Sequence, residues 1–80
     1  MAREALRSGR LPAQKASRTY GGAGADQPCA LCGQFVRQAE SEFEIEFNRR
    51  GVEIGLDRYH LHPRCFAAWE FERTKLGGAT

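Results

Sequence analysis

Four side chains of this 80-residue sequence have the types and spacing to hold one metal ion: Cys29 and Cys32, then His62 and Cys65. In each pair two residues intervene, which lets both donors turn toward a single point. Three thiolates and an imidazole form a borderline-soft set suited to a tetrahedral ion, and zinc is the expected one, a single structural ion. Two other readings of the cysteines stand beside this one: three unrelated buried thiols, or a Cys29–Cys32 disulfide or redox pair without the βαβ setting such sites usually have. An odd number of cysteines argues against a disulfide framework. His60 lies two residues before His62 on what reads as an extended piece, so both project to one side. His62 is favoured as the ligand because its interval to Cys65 repeats that of the first pair, leaving His60 beside the metal or on the surface. If neither histidine bound, the open position would have catalytic geometry, but no general base in an apolar pocket is evident, and no enzyme is expected.

The elements that must bring the two pairs together are readable in outline. Cys29 to Gly33 is a tight turn. From Glu40 the chain alternates, with Glu40, Glu42, Glu44 and Glu46 on one side and Phe43, Ile45 and Phe47 on the other, the mark of a half-buried strand. Asn48-Arg49-Arg50-Gly51 supplies turn chemistry, and Val52, Ile54 and Leu56 alternate with Glu53, Gly55 and Asp57 as the second strand of a hairpin. A short extended piece, Tyr59 to His62, follows. Pro63 suits a first helical position, and the helix runs from Arg64 to Leu76 until Gly77-Gly78. Cys65, Phe66, Trp69 and Leu76 fall on one stripe of it, the expected core face, whereas Phe71 lies opposite with Ala67, Ala68 and Thr74. The class is α+β: knuckle, hairpin, C-terminal helix.

Residues 1–28 read differently. They carry five basic residues (Arg3, Arg7, Arg10, Lys15, Arg18) against two acidic ones, while residues 29–80 carry seven against eight. Ala2 to Ser8 suits two helical turns ending at Gly9, too short to persist without a surface to dock on. Leu11 to Pro28, with Pro12, Gly21, Gly22, Gly24 and Pro28, reads as connector. The expected organisation is a basic, largely flexible arm over 1–28 and a metal-binding domain over 29–80.

The Cys-x2-Cys, 29 residues, His-x2-Cys-Phe pattern, carried by Cys29, Cys32, His62, Cys65 and Phe66 with Tyr59-His60 before them, resembles the treble-clef zinc finger of poly(ADP-ribose) polymerases across residues 29–76. The early Arg7-x-Gly9-Arg10-Leu11-Pro12 and the late His60-x-His62-x-x-Cys65-Phe66-Ala67-Ala68-Trp69-Glu70 also resemble small bacterial zinc-finger proteins of uncharacterised function. The resemblance implies the treble-clef fold and the zinc ion. The polymerase finger recognises DNA breaks through a basic surface, and the four glutamates here depart from that, so break recognition is not carried over.

The remaining surfaces bear on partners. The glutamate row is either a solvated strand face or a docking surface for a basic partner. Phe71 is an incidental exposed aromatic, or is covered by the chain's own Leu6, Leu11 or Tyr20, or by another protein. The expected role is a macromolecular interaction module, protein-binding, with DNA binding through the basic arm and Arg49-Arg50 as the alternative. No run of residues is apolar enough for a membrane span, and the N-terminus lacks the apolar stretch of a signal peptide, so the cytoplasm is the expected compartment.

Overall fold

A computed structural model describes residues 1–48 and 55–77. In chain order they form α1 (Ala2–Ser8), β1 (Arg18–Ala23), β2 (Gln27–Pro28), β3 (Phe35–Val36), β4 (Ser41–Asn48), β5 (Leu56–Leu61) and α2 (Pro63–Gly77). β4 is the middle of an antiparallel three-stranded sheet in the order β1-β4-β5, while β2 and β3 pair separately and carry the Cys29–Gly33 turn between them. Among the described residues no helix is long and apolar enough to cross a membrane.

The alternation over β4 sorts its side chains between two faces. Ile45 and Phe47 are buried, Phe43 stacks on Phe66 of α2 with ring centroids 4.4 Å apart, and Phe47 meets Trp69 edge-on at 6.2 Å. Trp69 is fully buried, and its indole N–H donates to the Pro12 carbonyl at 2.9 Å. Leu76, expected on this stripe, is exposed near the helix end, past the reach of the sheet.

The hairpin register differs from the one read in the sequence. β4 pairs with Leu56–Leu61, placing Leu61 beside Phe43, Tyr59 beside Ile45, His60 beside Glu44 and Arg58 beside Glu46. Leu56, expected to face inward, is exposed opposite Asn48. Arg49, Arg50, Gly51, Val52 and Ile54, assigned to the turn and second strand, lie outside the described residues. Charge explains the choice: a tight turn at 48–51 would set Glu53 and Asp57 beside the glutamate row, and like charges directly across a ladder destabilise it. The observed register supplies Arg58 and His60 instead.

The glutamate row is accordingly no open face. Glu42 and Glu46 are each only 6% exposed. Arg58 Nε lies 2.9 Å from Glu46 and 3.6 Å from Glu44, and His60 Nδ1 lies 3.0 Å from Glu42. Glu40 belongs to the loop before β4, where its carboxylate accepts the Arg37 N–H at 2.9 Å. Burying carboxylates costs free energy unless each has a partner, and the neighbouring strand provides them.

The N-terminal segment, expected as a largely flexible arm, is packed. Ala2, Ala5, Leu6 and Leu11 share one buried cluster with Leu31, Val36, Ile45, Leu61 and Trp69. α1 lies against α2, with Arg3 Nε 3.4 Å from Glu72, and β1 adds an edge strand in which Tyr20 sits across from Glu44. A body built from residues 29–80 alone would leave Trp69 and Leu31 without that cover. Gly24, at the turn out of β1, passes so near the Val36 and Arg37 carbonyls that any Cβ would overlap them.

Candidate metal centre

The two ligand pairs arrive on different elements. β2 and β3 hold the knuckle at their tip: the Cys29 N–H donates to Gln34 O at 2.7 Å, and the Gly33 N–H donates back to Cys29 O at 2.9 Å. Gly33 takes φ +81°, the left-handed conformation in which a side chain is strained. The Ala30 N–H donates to His60 O at 2.8 Å, tying the knuckle to β5. The other pair sits where β5 becomes α2. The Phe66 N–H donates to His62 O at 2.8 Å, so the helical bonding starts at His62 and Cys65 falls in the first turn. The partial positive charge of a helix N-terminus favours a thiolate there.

One ligand atom from each of Cys29, Cys32, His62 and Cys65 lies within 4.8 Å of all the others. This set can hold one metal ion. His62 Nδ1 is 3.4 Å from Cys32 Sγ, while its Nε2 is 3.2 Å from Phe35 O. A carbonyl only accepts, so Nε2 is assigned the proton, and the Nδ1 lone pair is turned toward the sulfurs. Such a hydrogen bond on the far nitrogen is what orients histidines at metal sites. A groove of about 670 Å³, lined by Met1, Cys32, Gln34, Glu40 and residues 62–65, opens beside the cluster.

The thiols respond to this environment in opposite senses. Burial would raise Cys29, but backbone hydrogen bonds from Cys32, His62 and Leu31, with the His62 side chain, outweigh it and bring the thiol down to about 6. Cys65 is pushed up to about 12, first by burial and then by its hydrogen bonds and charge interaction with Cys29 and Cys32. The cluster accepts one negative charge readily and resists the next. A divalent cation among the sulfurs would remove that resistance, so the chemistry of the donor set fits one.

His60 points elsewhere. Its ring lies on the sheet face with Glu42 and Glu44, whose ligand atoms form a second trio within 4.8 Å. Its main-chain carbonyl nevertheless holds the knuckle. Two contributors lie outside the site as read from the sequence: the Phe35 carbonyl, since any residue type supplies one, and Arg10, which donates to Ala30 O at 2.9 Å and Leu31 O at 3.2 Å from just after the short N-terminal helix. No protein-family model, curated protein or solved structure matches this chain.

Proposed function

We propose that the chain is a small zinc-binding interaction module with a treble-clef arrangement, in which the Cys29–Cys32 knuckle, the β4–β5 hairpin and the start of α2 close on one structural ion. The observation that carries this reading is the convergence of Cys29, Cys32, His62 and Cys65 within 4.8 Å from two separate elements. Three thiolates and one imidazole complete a tetrahedron, leaving no position for substrate, which is the pattern of a structural rather than a catalytic ion. Zinc then supplies folding free energy that a chain this small draws only in part from its core. Mass spectrometry under native and denaturing conditions tests it: one zinc per chain is expected, lost on unfolding, and chelation should collapse the amide dispersion. A folded, metal-free chain would overturn the reading.

The partner proposed is a protein. Between α1 and α2 runs a groove of about 780 Å³, lined by Met1, Ala2, Leu31, Ala68 and Phe71 with Arg3, Arg7 and Glu72 at its edges, and Phe71 remains 62% exposed. Apolar surface of this kind on a small domain suits a protein contact. The DNA reading draws on the basic arm, yet Arg3 is paired with Glu72, Arg18 donates to the Tyr20 hydroxyl, and Arg10 is engaged with Glu4 and the knuckle.

A further inference from the structure

Two of the three peptide units inside the Cys-x2-Cys knuckle, Ala30–Leu31 and Leu31–Cys32, are engaged at both ends. Their N–H groups, those of Leu31 and Cys32, are two of the backbone donors that bring the Cys29 thiol down. Their carbonyls, those of Ala30 and Leu31, both accept from one terminal nitrogen of Arg10 at 2.9 and 3.2 Å. The other terminal nitrogen of Arg10 lies 2.9 Å from a Glu4 carboxylate oxygen on α1. A chain of contacts thus runs from α1 through a guanidinium and two peptides to a sulfur. Cation and sulfur sit at opposite ends of the same two dipoles. Positive charge at the carbonyl end polarises each peptide and makes its N–H a stronger donor, because linked hydrogen bonds reinforce one another. The Ala30 N–H is taken by His60 O and Cys29 O by the Gly33 N–H, and Arg10 supplies the partner of the two carbonyls between the cysteines.

We propose that Arg10 is a positioning residue for the metal centre: by holding the Ala30 and Leu31 carbonyls it fixes the loop that carries Cys29 and Cys32, and thereby couples docking of the N-terminal segment to metal occupancy. The proposal rests on the zinc reading above. Coupling of this kind is reciprocal: whatever Arg10 adds to metal affinity, bound metal returns to the docking of residues 1–11. Leu11, fully buried, fixes the segment in place, while the Arg10 side chain is 42% exposed, so truncating it opens no cavity in the core.

The test compares wild type, Arg10→Met, which keeps length without charge, and Arg10→Lys, which keeps charge without the planar fork. Zinc affinity is measured by chelator competition, the sulfur-to-cobalt charge-transfer band in the cobalt(II)-substituted protein, and zinc protection of residues 2–11 by amide exchange. Arg10→Met should bind zinc 10- to 100-fold more weakly, the usual cost of losing a group that supports a ligand. Its charge-transfer band should move to lower energy, because a sulfur with weaker hydrogen bonds gives up its electron more easily, and zinc should protect residues 2–11 less. Arg10→Lys should recover part of each effect. Unchanged affinity and an unmoved band in Arg10→Met, with wild type binding zinc, would overturn the role of Arg10 alone. A wild-type chain that takes up no metal would overturn this proposal and the zinc reading together.

Discussion

Cys29 and Cys65 share one cluster, but only Cys29 holds its thiolate without help. Its value of about 6 lies below the ordinary 9.0, so between these pH values the unfolded chain keeps a proton that the folded chain has lost. Stability therefore rises with pH across that window and falls as pH drops through about 6. Cys65 alone would give the opposite slope above 9, since its thiol is held up to about 12, but a bound cation keeps it as thiolate and cancels that slope. The expected result is a melting temperature of the zinc-loaded protein that climbs as pH rises toward 9, where the unfolded thiols give up their protons, and levels off above it, followed by circular dichroism. A second comparison separates ligand from neighbour. On the proposed zinc reading, Cys65→Ser removes a metal donor and with it much of the folding free energy the metal would supply. His60→Ala leaves the buried Glu42 carboxylate without its imidazole, a loss of about 1–3 kcal/mol. Cys65→Ser should melt lower and lose its zinc, while His60→Ala keeps one ion per chain. Loss of zinc from His60→Ala would place that histidine in the ligand set.

At the scale of elements, what the sequence made legible was what repeats or punctuates. The alternation of Phe43, Ile45 and Phe47 marked β4, Pro63 marked the start of α2, and the two-residue intervals marked the pairs that converge. What it hid depends on distant partners. β1 has Gly21 and Gly22 where a strand would show apolar alternation, and it exists as an edge because β4 offers a ladder. The register of β5 was decided by which charges could stand beside buried glutamates, and period-two alternation carries no such information. The docking of α1 hangs on Ala5, Leu6 and Leu11, too few and too irregular to outweigh the Gly and Pro around them. Leu11→Ala discriminates a packed segment from a mobile arm. Truncating a buried leucine costs about 2–5 kcal/mol, whereas the same change in a mobile arm costs close to nothing. Denaturant unfolding of the zinc-loaded protein should report the larger loss with an unchanged m-value.

Across the whole molecule, the charge balance speaks to the choice of partner. The chain's formal net charge is +2, and three thiolates around one divalent ion would lower it by one. Binding a phosphate backbone needs cations free to face it, and each phosphate neutralised steepens the salt dependence. In the folded molecule Arg58 is committed to Glu44 and Glu46, Arg3 to Glu72, and Arg10 to Glu4 and the knuckle. Titrating labelled duplex and single-stranded DNA with the zinc-loaded protein at about 50 and 200 mM salt should therefore give no saturable binding, with any weak signal abolished at the higher salt. Deleting residues 1–28 is a poor control, because it also removes β1 and the buried Ala5, Leu6 and Leu11. Neutralising Arg7, Lys15, Arg49 and Arg50 removes charge while sparing those buried groups. Saturable binding that weakens with salt and disappears in that variant, with its melting temperature retained, would replace the protein-partner reading with a nucleic-acid one and leave the metal centre as it stands.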